Sequence, residues 1–249
     1  MTEQKSSPLV VASIEARMGS SRFPGKMMQD IDGKPTIARV VERLERCRNL
    51  DSIILATTKS AADDVLVCWA ENHGLPVHRG SEDDVLGRVV GAHRKMNSEI
   101  IVEICGDCPL IDPQVVDLAV ETFLANDCDL VTTVLKRSFP KGMDVEVFRF
   151  NKLTTMDQTI KDPEVREHVS LSFYQNPDRY RLLGLTAPQQ WTAPNVRCVL
   201  DYPEDLKFIQ AVFRNLGSDG RSAFGIDDVL ALVRRDPGLL AINAMHEAT

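Results

Sequence analysis

The chain has 249 residues, 43% hydrophobic and 26% charged, an ordinary globular composition. Its formal net charge is −7 and its pI is near 5.3, which argues against a nucleic-acid partner because duplex binders are usually basic. No apolar run approaches the roughly 20 residues that span a bilayer and Met1–Pro8 lacks a signal-peptide core, so the expectation is a cytoplasmic protein with no membrane partner and a flexible segment over 1–8.

Leu9 to Ile14 is a short apolar run rich in Val and Ile, the mark of a buried strand. A loop follows from Glu15 to Lys26. Pro35 then suits a first helical position, and Ile37, Val40, Val41, Leu44 and Cys47 keep helical spacing. Strands are expected at Ser52–Thr57 and Pro76–His78, with a helix between them marked by Val65, Leu66, Trp69 and Ala70. Asp83–Lys95 reads as a helix and Glu99–Cys105 as a strand. Asp112-Pro113 is a helix start, an N-cap followed by proline, and Val116, Val120, Phe123 and Leu124 continue it. Asp129–Val134 is the next strand. This alternation predicts a mainly parallel sheet covered by helices on both faces. Ligands in such sheets bind beyond the carboxyl ends of the strands, where the loops after 9–14 and 99–105 both lie.

The second half is mixed. Met143, Val145 and Val147 alternate with Asp144 and Glu146 as in a half-buried strand. Asp162-Pro163 starts a helix, Arg181–Thr186 and Arg197–Leu200 are expected strands, and Pro203–Leu216 is a helix with Leu206, Ile209, Val212 and Phe213 inward. A polar turn at 217–222 precedes a helix over Ile226–Arg235. With no repeat and no low-complexity linker, the expectation is one domain over 9–249 with an inserted sub-element. Only Cys105 and Cys108 of six cysteines are close together, and no second pair or histidines accompany them, so zinc and redox roles are set aside.

Three segments carry chemistry. Glu15-Ala16-Arg17-Met18-Gly19-Ser20-Ser21-Arg22-Phe23-Pro24-Gly25-Lys26 is a glycine-containing loop dense in cations, a plausible phosphate cradle or else a solvated basic turn. Its glycine spacing is not that of a Walker A loop, and G-x-G-x-x-G is absent. Gly106-Asp107-Cys108-Pro109 sets a carboxylate at a strand end, where it either holds Mg²⁺ or caps a turn. Asp201, in Leu200-Asp201-Tyr202-Pro203-Glu204-Asp205, sits before a helix, where it either caps that helix or shares a metal with Asp107.

Together with Arg79-Gly80-Ser81-Glu82-Asp83-Asp84-Val85-Leu86, Gly142-Met143-Asp144-Val145-Glu146-Val147 and Arg166-Glu167-His168-Val169, these segments, in order over about 9–216, resemble a known family. The chain is similar to the CMP-Kdo and acylneuraminate cytidylyltransferases, nearest to the spore-coat polysaccharide biosynthesis branch. The resemblance implies a Rossmann-like nucleotidyltransferase fold and a reaction of CTP with a sugar acid, Kdo-like or nonulosonic, giving a CMP-sugar and pyrophosphate. It implies that Arg17, Ser20 and Lys26 hold the triphosphate with Arg22 beside them, that the Ala16 backbone meets cytosine, and that Arg79 and Ser81 add nucleotide contacts. Asp107 and Asp201 match the Mg²⁺-binding aspartates. Asp144, Glu146, Arg166 and His168 fall in the region that meets the sugar, about 139–170, which also forms the partner contact of a homodimer. Arg17, Lys26, Asp107 and Asp201 would then be the catalytic set. The chain departs from the family pattern at Glu15, where Gln is more common, and at Cys105 and Tyr202, where Thr is common. The tail 217–249 lies outside the matched motifs.

The implied mechanism is in-line attack of the sugar hydroxyl on the α-phosphorus of CTP, with the protein positioning reactants and offsetting phosphate charge. A glycosyltransferase is a rival, since Asp127-Cys128-Asp129 has the Asp-x-Asp spacing, although it precedes a strand rather than following one. A transferase for another nucleotide would commonly show a Gly-Gly pair where Ala16-Arg17 stands. A non-catalytic nucleotide-binding protein is the third reading.

Overall fold

Val10–Glu15 (β1) is the strand on which the architecture rests, because its backbone pairs on both sides and Val10–Ile14 are buried. The computed structural model describes residues 7–217 and 223–246. The flexible segment expected at 1–8 therefore lies, over 1–6, outside the described residues. So do 218–222 of the expected turn and 247–249 of the tail.

On one side β1 runs parallel to Ser52–Thr58 (β2), which pairs in parallel with Val77–Gly80 (β3). On the other it runs parallel to Ile100–Cys105 (β4), with Glu15 opposite Cys105. Leu130–Thr132 (β5), Glu146–Arg149 (β6) and Leu182–Gly184 (β7) complete one seven-stranded sheet of order β3-β2-β1-β4-β6-β5-β7. β6 is antiparallel to both β4 and β5, while β5 and β7 are parallel. The sheet is thus mainly parallel, as expected. The reversal puts the start of β6, at Glu146, on the same edge as the ends of β1 and β4. A short antiparallel ribbon pairs Asp30–Ile31 with Lys34–Pro35.

Helices cover both faces. Thr36–Leu44 (α1), Asp64–Asn72 (α2) and Pro113–Ala125 (α4) bury Ile37, Val40, Leu66, Val116, Val120 and Phe123 in the larger core. Pro203–Leu216 (α8) and Ile226–Arg235 (α9) join them through Phe208, Ile209, Val212, Val229 and Leu230. The opposite face receives Val85–Met96 (α3), Phe150–Thr159 (α5), Pro163–Glu167 (α6) and Leu171–Gln175 (α7), with Leu86, Val89, Phe148, Leu153 and Phe173 between them. The Asp-Pro starts hold as written: Asp112 caps α4 by accepting the Gln114 N–H and Asp162 caps α6 by accepting that of Glu164. The other Asp112 oxygen accepts the Ile226 N–H at 2.6 Å, tying α9 to the loop after β4.

Three local expectations change. Arg197–Leu200 is no strand: it makes only a bridge from Arg197 to Lys141, and its amides go to Lys141 O (from Cys198, 2.7 Å) and Asp107 O (from Leu200, 2.8 Å). The expected strand around 143–147 begins later, because Pro140–Met143 forms a turn under Cys198. Gly142 is required there, with φ of +97°, since a Cβ would lie 2.8 Å from the Cys198 carbonyl carbon. In α8, Leu206 is only half-buried and Phe208 takes the central core position.

Candidate active site

The loop after β1 is folded onto itself by its small residues. Met18 O accepts the N–H groups of Ser20 and Gly25, both at 3.0 Å, and Ser20 Oγ accepts that of Phe23. Gly25 takes φ of +75° to start the single turn Lys26–Met28. Asp63, 1% exposed, anchors the loop from outside by accepting the Met18 N–H at 2.7 Å. The loop after β4 lies against it. Gly106 donates to Glu15 O at 2.8 Å, and a Cβ on Gly106 would meet Ala16 Cβ at 2.9 Å, so glycine permits the approach.

This geometry brings the expected charges together. Lys26, only 7% exposed, donates from Nζ to Asp107 Oδ2 at 2.7 Å and to Asp201 Oδ1 at 3.0 Å. Arg22 reaches the same Asp201 Oδ1 at 2.9 Å. Two carboxylates from distant parts of the chain therefore converge on one point. Burial raises the Asp201 carboxyl, but Lys26, Arg22 and Arg197 outweigh it and hold the group below the usual carboxylate range. Burial likewise opposes the Lys26 charge, yet Asp107 and Asp201 push its pKa above the ordinary lysine value. Beside this point is a cavity of about 280 Å³ lined by Glu15, Ala16, Arg17, Ser20, Arg22, Lys26, Arg88, Asp107, Glu167 and His168. A larger cavity of about 770 Å³ lies at the amino ends of β2 and β3, against Ala38, Val41, Leu50 and Trp69. Its one cation, Lys34, is paired with Glu42, so it offers no comparable cradle for phosphates.

A family model described as cytidylyltransferase matches residues 11–222. The chain belongs to the cytidylyltransferase family. It is 30% identical over 230 residues to the spore coat polysaccharide biosynthesis protein SpsF of Bacillus subtilis, covering 90% of this chain and 93% of that one. It is 35% identical over 130 residues, about half of each chain (51% and 50%), to a 3-deoxy-manno-octulosonate cytidylyltransferase of Geobacter sulfurreducens. Among solved structures, a cytidylyltransferase from Leptospira borgpetersenii superposes with a TM-score of 0.88 at 28% identity, over 94% of this chain and 97% of that one. The chain is therefore a cytidylyltransferase, an enzyme that transfers a nucleotidyl group from CTP, on the α/β nucleotidyltransferase fold.

Not every expected contact of this cytidylyltransferase lies at the cavity. Arg17 stands at the rim, paired with Glu82. Arg79 is turned to the ends of β2 and β3, donating to Thr58 O and Ser60 O at 2.8 Å and pairing with Asp64 at 2.7 Å. Ser81 offers its carbonyl to Arg88 Nη1 at 2.6 Å. In the expected sugar-binding set, His168 lines the cavity. Arg166 is held at 2.7 Å by both Asp84 and Asp157, which fixes α6 against α3 and α5. Asp144 pairs with Arg137 at 2.9 Å, and Glu146 accepts from the Tyr174 hydroxyl. The rival Asp-x-Asp lies far from the cavity, at the amino end of β5. There Asp127 pairs with Arg181, and Asp129, 4% exposed, pairs with Lys152.

Three charged groups of the site, Glu103, Arg88 and Arg197, lie outside the sequence motifs. Glu15, Glu103 and Glu146 share one face of the sheet across β1, β4 and β6, with Glu103 opposite both Ser13 and Glu146. Burial raises all three carboxyls, Glu103 well above its usual 4.5, and Glu15 and Glu103 share a hydrogen bond. Arg88, 5% exposed on α3, lies at the cavity with Nε unpartnered. Its signal was a lone arginine inside the apolar stripe Val85, Leu86, Val89, Val90. Arg197 and Asp205 flank Asp201 with side chains 4% and 0% exposed. Their signal was the pairing of opposite charges around an apolar run.

Proposed function

We propose that this enzyme activates a sugar acid of the Kdo or nonulosonic class with CTP, releasing pyrophosphate and a CMP-sugar for surface polysaccharide. The observation that carries the reading is the convergence of Lys26, Asp107 and Asp201 beside a cavity rimmed by Arg17, Ser20 and Arg22. Arg17 and Lys26 hold the β- and γ-phosphates and stabilise charge on the leaving pyrophosphate. Arg22 stays on Asp201, and Ala16 offers its backbone toward the base. Glu146 and His168 face the acceptor, with Asp144 and Arg166 setting the backbone around them; Arg79 and Ser81 support the nucleotide loop from behind.

The donor set fits a hard divalent cation: two carboxylate oxygens already share one small cation, Lys26 Nζ, and the remaining ligands would be phosphate oxygens and water, as Mg²⁺ prefers. No group of three acidic, His or Cys ligands occurs among the described residues, consistent with a site that phosphate oxygens complete. Bound by Asp107 and Asp201, such a cation supplies charge neutralisation at the phosphates and acidifies a hydroxyl. We further propose a cytoplasmic homodimer meeting through 139–170; among the described residues no helix is long and apolar enough to cross a membrane.

The test is pyrophosphate release with Mg²⁺ and each of CTP, UTP, GTP and ATP against a panel of sugar acids and neutral sugars. Release with CTP and one acid is expected. Release with neutral sugars alone, or none with any acid while CTP binds, overturns the acceptor class.

A further inference from the structure

The segment after α9 lies beyond the family match, which ends at residue 222, yet it closes against Asp201. Two short helical stretches, Pro237–Ile242 and Ala244–His246, fold back over the amino end of α8. Asn243 is 2% exposed. Its amide donates to Asp205 Oδ1 at 2.9 Å and to the Arg197 carbonyl at 3.2 Å. Asp205 in turn accepts Arg197 Nε at 2.8 Å and Nη2 at 2.9 Å, and its Oδ2 also takes the N–H groups of Asp201 and Tyr202 at 2.9 and 3.0 Å. Arg197 Nη2 then donates to Asp201 Oδ2 at 3.0 Å. The path Asn243–Asp205–Arg197–Asp201 thus has side-chain links no longer than 3.0 Å.

A second contact reaches the same point. The His246 ring stacks on Tyr202, with centroids 3.8 Å apart and planes 7° from parallel, and its Nε2 lies 3.2 Å from Glu204. Tyr202 follows Asp201 directly and carries the Arg22 guanidinium 5.5 Å from its ring centre. Arg22 shares Asp201 Oδ1 with Lys26.

We infer that Asn243 and His246 are positioning residues for nucleotidyl transfer, acting through Arg197 and Tyr202 to hold Asp201 with Oδ2 bound and Oδ1 turned to Lys26. The inference rests on the proposed role of Asp201 in holding a divalent cation. With its backbone N–H and Oδ2 both clamped, Asp201 presents one oxygen in one direction. Loosening the clamp lets the carboxylate rotate away from the cation, and removal of such supporting partners weakens metal binding by roughly tenfold or more. A tail that only covers the core would act instead through Leu239, which is buried in the main cluster.

The experiment measures Mn²⁺ binding by electron paramagnetic resonance, with CTP present and no acceptor, for the full chain and three variants, alongside thermal unfolding. Asn243→Leu keeps the branched outline of the side chain, at a larger volume, and removes both N–H donors; His246→Ala removes the stack at a half-buried position and is not expected to prevent folding; Leu239→Ala weakens tail packing alone. The expected result is a rise of roughly tenfold in the Mn²⁺ dissociation constant for the first two, with no change for Leu239→Ala despite its lower unfolding temperature. Constants within twofold of wild type for both Asn243→Leu and His246→Ala overturn the positioning role. Loss of Mn²⁺ affinity in all three, in proportion to lost stability, also overturns it. Absence of Mn²⁺ binding in the wild-type protein itself would instead remove the assignment of Asp201, and the inference with it.

Discussion

Replacing Lys26 by Met separates the two jobs assigned to its ammonium. The two contacts, at 2.7 and 3.0 Å, each carry about 5–6 kcal/mol of gross Coulomb energy at an effective dielectric of about 20. Most of that is offset by burying the ammonium, and removing one partner of a buried pair costs about 3–5 kcal/mol. Asp201 keeps Arg22 and Arg197, and the Asp107 side chain is 22% exposed. The cost therefore falls at the low end, about 3 kcal/mol, or a Tm lowered by about 6–12 °C in a chain of this size. Turnover should fall by about 10²–10³, the usual effect of losing one donor to developing charge. Two carboxylates relieved of the shared ammonium should also bind a divalent cation more readily without nucleotide, so Mg²⁺ alone should raise the variant's Tm more than that of wild type. Scanning calorimetry with and without Mg²⁺, and a pyrophosphate assay, read all three. A variant that unfolds within about 2 °C of wild type and turns over within about tenfold would refute the convergence of charges at Lys26 as the working centre.

Asp107→Asn should lose at least about 10² in turnover at saturating Mg²⁺ while CTP binding without metal stays near wild type; near wild-type turnover would remove Asp107 from the metal site. Glu103→Gln tests the clustered carboxyls. Burial, with Glu15 and Glu146 nearby, holds the folded pKa well above 4.5, so the native state keeps a proton that the unfolded chain releases. That contribution is complete below about pH 4.5 and is lost as pH rises toward the folded value. In urea unfolding the variant should therefore be more stable than wild type at pH 8, with the gap closing toward pH 4.5; the opposite order would contradict the assignment. Gly142→Ala combines φ of +97° with a Cβ 2.8 Å from backbone, and should cost about 3 kcal/mol or more; an unchanged Tm would show that the turn can shift.

The charged loops were legible because their signals are local. A strand running into Ala16–Lys26, or Asp112 followed by Pro113, is decided within a few residues. The same holds for the alternation of helices and strands through Thr132. The antiparallel setting of β6 was not legible, because pairing with both β4 and β5 is settled by partners more than ten residues away. Arg197–Leu200 reads as a strand since Val196, Cys198, Val199 and Leu200 are apolar, but its backbone partners are Lys141 and the loop after β4. Glu103 and Glu146 look like outward polar positions of alternating strands. Only the register shows them side by side. Arg79 was expected at the nucleotide; its side chain donates to Thr58 O and Ser60 O and pairs with Asp64, a set of partners its place in the motif does not reveal.

The reversal at β6 also limits how this molecule can move. Hydrogen-bonded on both long sides, β6 joins the nucleotide end of the sheet to the end carrying α5–α7 without a break. A hinge between the two halves would have to break ladder bonds on one side of it. Closure over the reactants is therefore left to surface pieces, chiefly the loop Ala16–Gly25, which runs from β1 to the turn Lys26–Met28. The enzyme should close as a clasp on a fixed frame rather than as two jaws, with small changes in overall dimensions between its free and loaded forms.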